Sequence, residues 1–204
     1  MNREDKIMSG YSAAAVKFPF WFYEFKQTME WQRDSEQWAQ VKRHIIDENW
    51  FKLSSISRRQ SLYSEVAGRV QSLTPAISNV FFKTDLDNQR LINLIGMMNT
   101  NRLFKAFILR TYRDELMLGD LKLEDYEIQA FFRQIQTEDD AAAKWQDETV
   151  QRLGSSFRNY LTQAGLAKLD GTTLLVTRPL LDPPLEDALV ADNHQDYVAA
   201  LTGR

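Results

Sequence analysis

The sequence contains no cysteine. That excludes disulfides, thiolate nucleophiles, cysteine zinc sites and iron–sulfur clusters, and it fits a reducing compartment. Only 8 glycines and 5 prolines occur in 204 residues, about half the usual share. Sheet-rich folds need many tight turns, so this scarcity favours helices. Long hydrophobic runs are missing as well. The strongest, Phe18 to Phe25, is interrupted by Glu24 and followed by Lys26, far short of the ~20 residues a membrane helix needs. No basic segment followed by a long apolar run opens the chain. A soluble, cytoplasmic protein without membrane contact is expected.

Catalytic signatures are absent too. The sequence has no H-E-x-x-H, G-x-S-x-G, Walker loop or G-x-G-x-x-G. Its two histidines, His44 and His194, lie far apart. His44 stands near Lys42 and Arg43, which favours a surface or phosphate-facing role over catalysis. Asp85-x-Asp87 lacks the glycine a calcium loop needs at its sixth position, where Arg90 stands. The acids Asp120, Glu124, Asp125 and Glu127 show no ordered ligand spacing and read as helix-start acids. A non-enzymatic protein without cofactor or metal is expected.

What is present is an ordinary globular balance, 44% hydrophobic and 26% charged, enough for one or two cores. The net charge of −3 hides a polarity along the chain. Residues 41–113 carry 12 basic and 5 acidic residues, a net of +7. Residues 114–148 carry 3 basic and 11 acidic residues, a net of −8. A local excess of this size makes a field that screening does not erase at close range. The acidic segment folded onto the basic one would cancel it.

Apolar spacing predicts helices through most of the chain. Phe18, Phe22, Phe25 and Met29 share a face, with Pro19 suited to a first turn. Ser35 and Ser57 are candidate N-caps, as are Thr74 (followed by Pro75) and Asp85. One helix is predicted from about Thr100 to Gly119, another over Leu123 to Gln136, and a third from about 147 to Gly165. Asp170-Gly171 then predicts a hairpin with a strand at Thr172 to Val176. Helix, glycine, strand, turn, strand is how a winged helix-turn-helix ends. Pro179, Pro183 and Pro184 break structure, and a short helix closes the chain from Asp192 to Leu201. The fold class expected is mainly α: two packed helical units, 1–84 and 85–204, with helix-turn-helix elements and a small β-hairpin wing near 167–178.

Three surfaces are candidates for nucleic acid. On the predicted 100–118 helix, Arg102, Lys105 and Arg113 cluster opposite the apolar side with Arg110 at their flank, and no acid occurs between Thr100 and Arg113. Such a stripe can follow a phosphate backbone, although solvated helix faces carry the same residues. On the 147–164 helix, Arg152, Ser155, Arg158 and Asn159 lie on or beside the outward face, and no acid occurs from Thr149 to Leu169. These groups hydrogen-bond base edges and phosphates; a plain polar face is the alternative. The third is a helix-turn-helix spacing over Ser57 to Lys83, with Arg58, Arg59 and Arg69 on the first helix and Asn79 and Lys83 on the second. The aromatic run Phe18 to Phe25, with Trp31, Trp38 and Trp50, reads as core packing rather than a base-stacking platform.

Three stretches carry a family resemblance. Tyr11-Ser12 leads into a hydrophobic helix ending at Glu24. Leu91 to Arg113, then Leu123 to Phe131, gives an apolar helix, a basic helix ending in Tyr-Arg, and an acid-capped helix. The closing section holds Tyr160 to Leu166 and Leu181-x-Pro183. In pattern and order this resembles the BrxA family, the small core proteins of bacteriophage-exclusion (BREX) defence systems. The aromatic Pro19 to Phe25 departs from the family's more aliphatic version, which bears on packing more than function. The resemblance implies a nearly all-helical protein without known enzymatic activity, with helix-turn-helix elements and DNA binding. It implies work beside an adenine methyltransferase, an ATPase, a phosphatase-like protein and a Lon-like protease. The expectation is therefore a monomeric accessory that contacts double-stranded DNA. A protein-interaction adaptor using the acidic 114–148 segment and the aromatic N-terminal helix, or an RNA-binding protein, fits the same residues.

Overall fold

The computed structural model describes residues 10–34 and 36–204. A 3-10 turn (Ala13–Lys17) precedes α1 (Phe22–Arg33), α2 (Trp38–Ile46), α3 (Ile56–Gln71), α4 (Pro75–Phe81) and α5 (Leu86–Thr100). A broken rod follows: α6 (Arg102–Phe107), a π-helical turn (Ile108–Tyr112) and α7 (Arg113–Leu118). Then come β1 (Lys122–Leu123), α8 (Asp125–Glu138), a 3-10 turn (Ala142–Lys144), α9 (Asp147–Gln163), β2 (Ala167–Asp170), β3 (Thr173–Val176), α10 (Pro183–Ala191) and α11 (Gln195–Thr202). The described residues are 68% helical with one small antiparallel sheet, the mainly α fold with a β element that composition and spacing predict.

Local chemistry sets most boundaries. Thr74 caps α4, accepting from the Ile77 amide, with Pro75 as the first helical residue. Asp85 caps α5 by accepting from the Asn88 amide at 2.8 Å. Gly119, at φ 77°, ends α7 in the left-handed region that its missing Cβ permits. Ser55 rather than Ser57 caps α3; the Ser35 cap lies outside the described residues.

Other boundaries differ from expectation. Pro19 lies ahead of α1 rather than in its first turn, and Trp21 is the N-cap. Asn101 accepts from the Phe104 amide and starts the predicted 100–118 helix at Arg102, and a π turn interrupts its α-helical pitch at Ile108–Tyr112. Leu123 sits in a strand, and α8 starts only at Asp125 behind the Glu124 cap. Pro183-Pro184 opens α10 rather than breaking structure, because the first turn of a helix leaves its amides unpaired anyway.

One cluster of buried apolar side chains extends from Tyr11 to Leu201. The aromatic N-terminal run feeds it in part: Phe20, Phe25 and Trp31 are buried, in line with the core reading, whereas Tyr23 and Trp50 are exposed and depart from it. In α5, every residue from Leu91 to Met98 is buried. Gly96 lets α5 approach α3 closely, since a Cβ there would meet Arg69 Cβ at 3.0 Å and Arg69 O at 3.1 Å. Helix α10 packs on α4, tied by hydrogen bonds from Thr74 to Asp192 and from Thr84 to Asp182. The 84/85 boundary falls between α4 and α5, and the core runs across it.

Candidate nucleic-acid interface

Residues 102–176 run helix, strand, helix, helix, strand, strand. The sheet order is β1-β3-β2, all antiparallel, with Leu123 opposite Leu174 and Asp170 opposite Thr173. This order of elements and strands is similar to that of a winged helix, with α9 as its third helix and β2–β3 as its closing hairpin. Strand alternation puts Leu123, Leu174 and Val176 in the core and Lys122, Leu175 and Lys168 outside. Helix α9 buries Val150, Leu153, Phe157, Tyr160 and Leu161. Gly154 brings it close to α8, where a Cβ would lie 3.3 Å from Ile128 Cγ2. Its exposed face is Gln151, Arg152, Ser155, Asn159, Thr162 and Gln163. Gln163 Nε2 donates to Asn159 Oδ1 at 2.6 Å and Ser155 Oγ to the Gln151 carbonyl at 3.0 Å.

The cations of this face are partly engaged. Arg152 pairs with Glu148 one turn earlier at 2.8 Å. Arg158 donates to Asp125 at the start of α8 and to the Thr172 carbonyl in the wing. It therefore braces three elements rather than projecting. Acids frame the face: Asp147 and Glu148 open α9, and Asp170 sits at the wing turn.

The cations of the predicted stripe, spread over α6, the π turn and α7, are engaged within the fold. Arg102 stacks over the Tyr11 ring at 4.7 Å. Lys105 lies 3.6 Å from Asp196 and over the Tyr197 ring. Arg110 donates to both oxygens of Glu138, at 2.8 and 3.0 Å. That hydrogen bond holds the Glu138 carboxyl below its usual range and the guanidinium above its own. Arg113 reaches the Arg204 carbonyl at 3.5 Å. Two causes act together. The π turn changes the angular phase that a uniform wheel assumes. Carboxylates from α8 and α11 then fold onto the basic helix.

The α3–α4 candidates divide. Arg69 is 2% exposed, which corrects its expected place on a DNA-facing surface. Its guanidinium donates to the Phe20 carbonyl at 2.7 Å and the Pro19 carbonyl at 3.2 Å. Arg59 is half-buried and donates to the Ile46 carbonyl at 2.6 Å, at the end of α2. Arg58 is exposed and reaches Ser54. Asn79 and Lys83 are exposed, and Asn79 lines a cleft of about 580 Å³ with Gln32, Trp38, Gln71 and Phe82. His44 sits between Glu36 at 3.1 Å and Glu48 at 2.6 Å, so it faces carboxylates rather than phosphate.

Lys122 and Lys168 were missed in the sequence. They are exposed on the outer sheet face and flank Leu175 in register. The strand alternation carries that signal for Lys168, whereas a two-residue β1 is too short to read. Among the described residues no group of three or more His, Asp or Glu is arranged to hold a metal ion.

The BrxA family model matches residues 9–193. The chain belongs to the BrxA family. The family's proteins are components of BREX phage defence. A relative from Bacillus cereus (strain H3081.97), named BREX protein BrxA, is 25% identical over 193 residues, covering 95% of this chain and 96% of the relative. The crystal structure of an uncharacterized protein from Magnetospirillum magneticum superposes with a TM-score of 0.77 at 16% identity, over 96% of this chain and all of that one. That likeness extends the fold across most of the molecule. No helix among the described residues is long and apolar enough to cross a membrane.

Proposed function

We propose that the chain is a non-catalytic DNA-contacting component of a BREX system that uses the outer face of α9 and the adjoining wing. The observation that carries this is the winged-helix order of residues 102–176, which leaves the acid-free middle of α9 exposed. Asn159, Gln163, Ser155 and Arg152 supply donors and acceptors suited to a duplex groove. Lys168 and Lys122 add charge beside them. The stripe on α6 is not part of this surface, because its cations are engaged by carboxylates, a carbonyl or aromatic faces within the fold.

Few free cations and three nearby acids make the contact weak. With two or three phosphates neutralised, the logarithm of affinity falls with the logarithm of salt at a slope of about −2 to −3. The test is fluorescence anisotropy on a labelled duplex with the Ser155→Glu, Asn159→Glu double variant. Binding is expected to fall at least tenfold with melting temperature unchanged. Affinity equal to that of the parent overturns the reading. Competition with duplex RNA separates DNA from RNA binding.

A further inference from the structure

The corner joining α7 to α8 exposes four large apolar side chains within ten residues. Met117 is 57% exposed, Leu118 78%, Leu121 39% and Tyr126 67%. No other stretch of the described chain this short exposes as many. The corner is held in place. Gly119 turns the chain at φ 77°, and Leu121 follows at φ 57°, a left-handed conformation that costs a leucine about 1–2 kcal/mol. The Leu121 carbonyl accepts from the Val176 amide at 2.8 Å, which fixes the turn against the sheet. Four large apolar side chains exposed on one strained corner are a usual mark of a protein–protein contact.

The charge around the corner selects the occupant. Residues 114–127 hold Asp114, Glu115, Asp120, Glu124, Asp125 and Glu127 against one cation, Lys122. Asp114 and Asp120 are exposed beside the apolar side chains, and neither makes an ion pair among the described residues. These acids repel a polyanion, so apart from Lys122 the corner does not extend the α9 face. Leu118 and Tyr126 need apolar partners, and the acids need Lys or Arg flanking them.

We infer that this corner docks a basic amphipathic segment of another BREX protein, one in which Lys or Arg side chains flank two or more large apolar residues. The apolar contacts supply most of the affinity. Asp114 and Asp120 supply orientation and a faster encounter. The site shares Lys122 with the DNA face but does not rest on the DNA reading.

The test supplies the BREX methyltransferase, ATPase, phosphatase-like protein and Lon-like protease singly to the tagged full-length chain, after nuclease treatment. One of them is expected to be retained at 0.15 M salt. The Leu118→Asp, Tyr126→Asp double variant is expected to bind it at least tenfold more weakly, and Asp120→Lys at least threefold. Asp120→Lys leaves the apolar residues in place and serves if the double variant does not fold. Retention of none of the four proteins, or equal retention by the parent and the variants, overturns the proposal. So does sedimentation showing that the corner variants abolish a dimer of this chain, which makes the occupant a second copy. The Ser155→Glu, Asn159→Glu variant is expected to keep the partner, so failure of the DNA reading and failure of this one are distinguishable.

Discussion

Arg158 of α9 lies 2.8 Å from the Asp125 carboxylate at the start of α8 and donates to the Thr172 carbonyl at 2.6 Å. One guanidinium thus ties α8, α9 and the β2–β3 turn. Arg158, selected in the sequence as a DNA contact, is engaged by its neighbours within the fold.

Replacing Arg158 by Met tests that role. Asp125 is largely solvated, so the ion pair contributes no more than about 1 kcal/mol to global stability. The wing loses its tether, however. Hydrogen exchange at Gly171 and Thr172 should speed up while the melting temperature changes by less than about 3 °C. Unchanged exchange in the turn would show that the hairpin holds itself.

Arg69 makes the opposite case. It is buried, and burial pushes its guanidinium down to about 10, so it stays charged at neutral pH among three hydrogen-bonded acceptors. Arg69→Ala leaves the Pro19 and Phe20 carbonyls and Asn93 short of donors. The expected cost is about 3–5 kcal/mol in urea unfolding, the scale for breaking a buried charged network. Arg69→Lys should recover only part of it, since an ammonium cannot fork to both carbonyls. A loss below 1 kcal/mol for Arg69→Ala would sink this account.

Much of this fold was legible in the residues. Thr74-Pro75, Asp85 and Gly119 mark helix ends by local chemistry, which needs no knowledge of neighbours. The hairpin at Asp170-Gly171 is legible for the same reason. The cations were not, because a charged residue's partner is a tertiary fact. Arg110 meets Glu138, 28 positions away, and Arg69 meets Phe20, 49 positions away. Periodicity also assumes a uniform helix, and the π turn at Ile108–Tyr112 breaks that assumption. The corner at Leu118 and Tyr126 escaped notice because exposure of an apolar side chain is visible only once the core is assembled.

The Arg110–Glu138 contact gives a direct check on the discarded stripe. Arg110→Gln removes an exposed charge pair and should cost less than about 1 kcal/mol. If the cation is committed to Glu138, duplex affinity stays within twofold of the parent. A tenfold loss of DNA binding at unchanged stability would restore the stripe as a phosphate contact.

Glu115 predicts a pH dependence whose sign can be worked out. Burial first, then Glu127, Asp120 and Asp114, raises its carboxyl from 4.5 to about 7. Between those two values the folded chain holds a proton that the unfolded chain has released. Stability therefore falls as pH rises from about 4.5 to 7 and levels off above that. Glu115→Gln mimics the protonated side chain and removes the dependence. At pH 5 the variant and the parent should melt together. At pH 8 the variant should melt several degrees higher, because the shift from 4.5 to about 7 corresponds to about 3 kcal/mol and each kcal/mol moves a chain of this size by about 2–4 °C. Thermal melts at the two pH values decide it: a variant that is less stable than the parent at pH 8 means the Glu115 carboxylate is stabilised in the fold rather than suppressed by it.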